Sequence, residues 1–261
     1  MNKNSKFSQL SGALVYEGPS EVDGSPIFAA FSNLLRPSTN SKTGEMPQLW
    51  ILPQKGTGKI TETRSVCGAC PAESWCYVDR SLLSNIIRAY QSGSYSRRPE
   101  GLYDALDFSP YESVRYGAFG NLSALPVDTL KAMFDAADRA KKDWTAYEQH
   151  WKILSPTKEE LLKSRAMASV STIADAVEAY RRGWTFYLAS LQPEADMLLL
   201  KKEYNVPTIR CPHDVNKRVR CSTCLLCNGM TKPGIVALLH GPLSKINHAR
   251  KSIEQRLRVL S

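Results

Sequence analysis

Residues 165–190 read RAMASVSTIADAVEAYRRGWTFYLAS, and the reading of this stretch decides the fold. RAMASV is a short run of strand type, Ser171 stands where a helix N-cap is wanted, Gly183 stands where a helix stops, and TFYLAS resumes the strand pattern. Two strands separated by one helix predict a parallel pair joined by a right-handed crossover.

The same alternation extends in both directions. Upstream, LWILPQ from Leu49 precedes DRSLLSNIIRAYQ, whose Leu82, Leu83, Ile86, Ile87 and Tyr90 share a helix face. VRYGAF from Val114 then precedes LPVDTLKAMFDAADRAKK, and DWTAY from Asp143 precedes PTKEELLKS. Downstream, TFYLAS precedes EADMLLLKKEYN, VPTIRC leads into a cysteine-rich loop, GIVALLHG follows, and SKINHARKSIEQRLRVL closes as a basic amphipathic helix. About seven such units predict an α/β protein built as a complete or partial (β/α) barrel, with an open doubly wound sheet as the alternative. Residues 1–47, including the Ser-, Thr- and Pro-rich loop RPSTNSKTGEMP, read as a partly flexible N-terminal extension, and 48–261 as one domain of barrel type.

A chain of 261 residues with 43% hydrophobic residues can bury a full core. No run approaches the roughly 18 to 20 apolar residues that cross a bilayer. The polar start MNKNSKFSQL lacks the apolar stretch of a signal peptide, so the expectation is a cytoplasmic protein with no membrane partner. In a reducing compartment seven cysteines do not make a disulfide framework, and metal binding is the leading explanation. A net charge of +9, with RVR at Arg218 to Arg220 and Lys201 and Lys202, favours nucleic acid or a nucleotide as partner, against the alternative of a solvated basic surface.

The cysteines fall into two groups, expected as metal-binding loops at 65–78 and 210–230. The second, RCPHDVNKRVRCSTCLLCNG, holds Cys221, Cys224 and Cys227 at C-x2-C-x2-C with the remote Cys211-Pro212. Zinc ribbons present cysteines as two separated pairs, whereas this arrangement is how ferredoxins ligate a [4Fe-4S] cube, so an iron-sulfur cluster is favoured over zinc. His213 would replace a cysteine ligand, although a solvated or capping histidine is the commoner role. In the first, SVCGACPAESWC, Cys67, Cys70 and Cys76 supply three thiolates, which would leave one iron of a four-iron cluster open. The alternatives are zinc with a fourth ligand from His240 or Asp79, or all seven cysteines around one structural region. Both loops follow a strand, so both are expected on the C-terminal face of the sheet, where parallel barrels carry their sites.

Three clustered cysteines after the first strand of such a barrel, with Trp75 before Cys76, resemble the radical S-adenosylmethionine enzymes. The resemblance implies an open iron that binds S-adenosylmethionine, whose reductive cleavage yields a 5'-deoxyadenosyl radical. It also implies that the glycine-rich turn after the second strand, here RYGAFGN, contacts the cofactor through Gly117, Gly120 and Asn121. The spacing here is C-x2-C-x5-C where that superfamily has C-x3-C-x2-C, and GAFGN carries no acid where it has Gly-Gly-Glu. The chain is also similar to phage- and plasmid-encoded proteins sharing three patterns. These are Cys70-Pro71 with Cys76-Tyr77; Met167 to Val170 with Gly183-Trp184 and Phe186; and Cys221 to Gly229 with His240-Gly241. That similarity implies a mobile-element origin.

His240, at the end of a strand, is a further candidate ligand or acid-base group, and Tyr147, Glu148, Gln149 and His150 follow another strand towards the same mouth. KGTGK at Lys55 to Lys59 lacks the phosphate-loop pattern, and Trp144, Trp151, Trp184 and Tyr187 read as core. Two function classes follow. One is an iron-sulfur enzyme of radical S-adenosylmethionine type, with the first cysteine group active and the second auxiliary. The other is a metal-stabilised DNA-binding protein of plasmid or phage replication or maintenance that sets Lys217, Arg218 and Arg220 against phosphates.

Overall fold

The computed structural model describes residues 12–36, 38, 40–56, 62–76, 78, 80–95, 106, 109–230, 232–241 and 243–259. The start MNKNSKFSQL and part of KGTGK lie outside them. Nine strands form one sheet: β1 Gly12–Pro19, β2 Pro26–Ser32, β3 Gln48–Pro53, β4 Ser113–Phe119, β5 Asp143–Glu148, β6 Met167–Val170, β7 Phe186–Ser190, β8 Thr208–Arg210 and β9 Gly234–Leu238. Their order is β1-β2-β3-β4-β5-β6-β7-β9-β8. The first three pair antiparallel, and every pair from β3 onward is parallel.

The fold is therefore α/β with a mostly parallel sheet, and the sheet is open rather than a complete barrel. β1 and β8 end the strand order on its two sides. Within residues 1–47, β1 and β2 form a hairpin whose connection carries Asp23-Gly24, with Gly24 at φ 76. This hairpin continues the sheet beyond β3.

Helices α1 Arg64–Cys67, α2 Arg80–Gln91, α3 Val127–Arg139, α4 Pro156–Lys163, α5 Ile173–Arg181, α6 Pro193–Tyr204, α7 Pro212–Val215, α8 Cys221–Cys224 and α9 Leu243–Val259 fill the connections. Thr172, one residue beyond the expected Ser171, caps α5 by accepting from the Asp175 amide at 3.1 Å. Gly183 follows α5 at φ 80, as its position suggested. Among the described residues no helix is long and apolar enough to cross a membrane.

Strands that follow one another in space as in sequence step each crossover the same way, which places helices on one face. The residue alternation shows it. Val114, Tyr116, Trp144, Ala146, Ala168, Val170, Phe186 and Leu188 share a core with Met133 and Phe134 of α3, Leu162 of α4 and Ala176 of α5. Tyr116 donates to the Met133 carbonyl at 2.8 Å and meets Phe134 edge-on at 5.0 Å. Each large apolar side chain buried there contributes about 1.5–3 kcal/mol. The intervening residues point to the opposite face. There Met167, Ile235 and Ala237 pack with Tyr147, Tyr187, Cys211 and Cys227. This opposite face is thus the one that meets Cys211 and Cys227, while Cys67 and Cys76 pack against the main core.

Candidate metal centre

The first cysteine loop lies over the C-terminal ends of the strands. Cys67 ends α1, and the turn after β4 holds it: the Asn121 amide donates to Val66 O at 2.9 Å and the Asn121 side chain to Cys67 O at 3.4 Å. The Gly120 backbone hydrogen-bonds to the Cys67 thiol. Gly120 sits at φ 80, and a Cβ there would lie 2.5 Å from Ile51 O, so β3, the turn and the cysteine loop meet where only glycine fits. Gly117 also has positive φ, 68. At the loop's far end Trp75 is buried against Ala72, Leu239 and Ala249, which fixes Cys76 beside β9 and α9.

A buried carboxylate supports this arrangement from behind. Glu148 accepts from Ser123 N at 2.9 Å, Ser123 Oγ at 3.0 Å and His150 N at 2.7 Å. Burial pushes its pKa up while these donors oppose the shift. His150 in turn packs on the cysteine loop, its Nε2 being 2.7 Å from where a Gly68 Cβ would stand. That Nε2 is buried without a hydrogen bond among the described residues. Glu148 and His150 are therefore not lining residues of the mouth, but Gln149 is, and its Nε2 donates to Ser169 Oγ at 2.8 Å.

The second loop departs from the expectation that both groups open on the C-terminal face. It starts there, where Cys211 N donates to Val236 O at 2.8 Å and Asp214 accepts from Leu238 N at 2.6 Å. It then runs, through α7 and α8, to the strand starts. Ser113, the first residue of β4, donates to Ser222 O at 3.1 Å, and Thr185, just before β7, donates to Gly229 O at 3.3 Å. In between, the Ala146 amide of β5 donates to Cys227 O at 2.9 Å. The reason is connectivity: β8 and β9 are parallel neighbours, so the chain must return from the end of one to the start of the other.

Between the two loops lies a cavity of about 550 Å3, lined by Cys67, Cys70 and Cys76 on one side and Cys211, Cys221 and Cys227 on the other. Gly117, Gly120, Asn121, Ser169, Tyr147 and Tyr187 contribute to its walls. Cys224 is not a lining residue but lies within electrostatic reach of Cys227 and Cys221. Burial pushes the Cys67 thiol well up, and the neighbouring Cys70 and Cys76 add to the shift. Burial likewise pushes Cys227 up to about 12, against the hydrogen bond it receives from Tyr147. All seven cysteines are free thiols.

Grouped thiols, half-buried except for the buried Cys211, with a tyrosine hydroxyl and a backbone amide directed at two of the sulfurs, are a donor set for a thiophilic centre. Among the described residues no three of His, Cys, Asp and Glu are drawn together as ligands of one metal ion. A tetrahedral zinc with Zn–S near 2.3 Å needs its sulfurs about 3.8 Å apart, whereas a four-iron cube spreads its thiolates more widely.

The histidines have other engagements. His213 Nδ1 lies 2.7 Å from Val219 O, which braces the second loop. His240 lines the cavity, its Nδ1 is 3.3 Å from Leu238 O, and burial followed by the Lys42 charge pushes its pKa down. Asp79 and Tyr77 lie outside the described residues.

Two residues not singled out in the sequence also line the cavity, Arg115 of β4 and Lys42 of the segment before β3. Strand alternation offered one signal, since Arg115 shares its face with Gly117. Lys42 is placed by its carbonyl, which accepts from Cys221 N at 2.9 Å. Both charges act to lower the Cys221 thiol pKa, which burial nevertheless raises overall. No family model matches the chain, and no curated protein and no solved structure matches it either.

Proposed function

We propose that this chain is an iron-sulfur enzyme of radical S-adenosylmethionine type, built on a partial (β/α) barrel and acting on a nucleotide or nucleic acid. One observation carries the reading: six cysteines from two distant loops line a single cavity beside a mostly parallel sheet. The turn that resembles the cofactor-contacting turn of that superfamily, Gly117 to Asn121, is hydrogen-bonded to the first cysteine loop. Free thiols suit a reducing cytoplasm, and a phage or plasmid origin suits a nucleic-acid or nucleotide substrate.

In this reading Cys67, Cys70 and Cys76 hold a [4Fe-4S] cluster, and Cys211, Cys221, Cys224 and Cys227 hold a second, auxiliary one. When bound, the first cluster supplies single electrons and an open iron at which S-adenosylmethionine can coordinate. The chain supplies the rest. The Gly120 amide and the Tyr147 hydroxyl direct hydrogen bonds at the sulfurs of Cys67 and Cys227 and favour their thiolates. Gly117, Gly120 and Asn121 present backbone and amide groups to a cofactor's polar end. Buried Trp75 closes the side of the first loop against water.

The test is anaerobic purification with iron, acid-labile sulfide and zinc measured per chain, followed by S-adenosylmethionine binding. Near eight irons with matching sulfide supports two four-iron clusters; one or two zincs without sulfide overturns the reading. A second reading, a metal-stabilised DNA-binding protein, is favoured by the exposure of Lys217, Arg218 and Arg220 on the second loop. Cys76→Ala separates the two, abolishing turnover at nearly unchanged DNA affinity in the first and weakening DNA binding in the second.

A further inference from the structure

Two cations at the cavity wall each bury a nitrogen, Arg115 Nε and Lys42 Nζ, that makes no hydrogen bond among the described residues. Each costs desolvation energy that a native structure normally offsets with an acceptor. The nearest carboxylate does not serve. Asp214 stands 4.0 Å from Lys42 and already accepts from Leu238 N at 2.6 Å, with Arg210 at 3.6 Å and Lys217 at 3.9 Å. It is the single acidic residue lining the cavity among the described residues, against Lys42, Arg115 and Lys217.

Both cations line the cavity within electrostatic reach of Cys221. Arg115 is fixed on β4, where its amide donates to Pro47 O at 2.9 Å. Lys42 is fixed by the Cys221 amide, and the adjacent Thr43 carbonyl accepts from Ser222 N at 2.9 Å. A guanidinium held on a strand and an ammonium held on a braced loop form a fork and a point charge, the combination that grips an oxyanion. Tyr147 and Tyr187, with ring centroids 5.3 Å apart, add aromatic wall. The volume of about 550 Å3 is that of a small-molecule site.

We propose that the cavity takes a nucleotide-sized small molecule whose phosphate or carboxylate group is held by Arg115 and Lys42 beside Cys221. This deepens the reading above and rests on it for the rest of the cavity, because an anion anchored there would extend its body towards Cys67, Cys70 and Cys76. The anion site itself stands on the two cations alone.

The test is calorimetric titration of the anaerobically purified protein with inorganic phosphate and, separately, with acetate, which tells a phosphate site from a carboxylate site. Iron and sulfide are measured on the same samples. Wild type is expected to bind about one anion per chain, and Arg115→Gln and Lys42→Gln to bind about tenfold more weakly or worse, at unchanged iron and circular dichroism. Arg115→Lys, which keeps the charge, controls for folding and is expected to retain partial binding. Equal affinity in wild type and variants overturns the proposal. So does wild type that binds neither probe while the variants lose iron, since the cations would then serve only the thiolates. Arg115-dependent anion binding in a protein with no iron or sulfide would leave the anion site standing and sink the iron-sulfur reading.

Discussion

The Asn121 amide donates to the Val66 carbonyl at 2.9 Å, so the turn that closes β4 carries the first cysteine loop directly. The Asn121 side chain reinforces this contact through Cys67 O. Asn121→Ala keeps the backbone bond and loses the side-chain bonds, a cost of about 1–2 kcal/mol. The expected outcome is a melting temperature lower by about 2–4 °C per kcal/mol lost and reduced iron per chain.

Gly120 and Gly117 lie on the same turn and separate two costs. At Gly117 a Cβ meets nothing closer than 3.4 Å, so Gly117→Ala adds mainly the left-handed backbone penalty of about 1–2 kcal/mol. At Gly120 the Cβ also strikes Ile51 O at 2.5 Å, a backbone atom that cannot rotate away. Gly120→Ala is therefore expected to be the more destabilising of the two in urea denaturation and to lose the first centre's iron preferentially. Equal effects would contradict this.

Glu148 holds three donors with two oxygens. Glu148→Gln turns one oxygen into an N–H facing the amide of Ser123 or of His150, at a cost of about 1–3 kcal/mol. Thermal melts at neutral pH should show the loss. Glu148→Ala should lose at least as much, because two buried amides are then left unsatisfied.

The metal-free thiols predict a pH dependence. Burial raises Cys227 from the ordinary 9.0 to about 12, and it raises Cys67 as well. Between these values the folded chain keeps protons that the unfolded chain releases. Stability from this source is therefore complete below about pH 9 and is lost as the pH climbs towards 12. Urea midpoints of metal-free protein should fall over that range, and less steeply in Cys227→Ser. Identical slopes would show that Cys227 is not the titrating group.

Much of the sheet was legible in the sequence because strand and helix periods are local. LWILPQ, VRYGAF, DWTAY and TFYLAS each coincide with a strand, and the helices between them follow. β1 and β2 lie outside the strand-helix alternation, and their one local signal is Asp23-Gly24 between two apolar runs. The cysteines declared themselves by spacing, but the course of the second loop did not. Its position depends on bonds such as Ala146 to Cys227, between residues far apart in the chain, which no local pattern encodes. Arg115 and Lys42 escaped for a related reason: in a chain with net charge +9, a buried cation looks like any surface one until the strands are assembled.

β5 and β6 meet in only two register pairs, Tyr147 with Met167 and Glu148 with Ala168. Below them the Ala146 amide turns to Cys227 and the Trp144 indole to Arg165 and Asn228. The returning loop is thus a wedge driven into a seam between two half-sheets, and it is also a wall of the cavity. Pulling residues 227–229 from that groove would remove the bonds that reinforce this short seam. What fills the chamber and what keeps the two halves joined are consequently one mechanical variable.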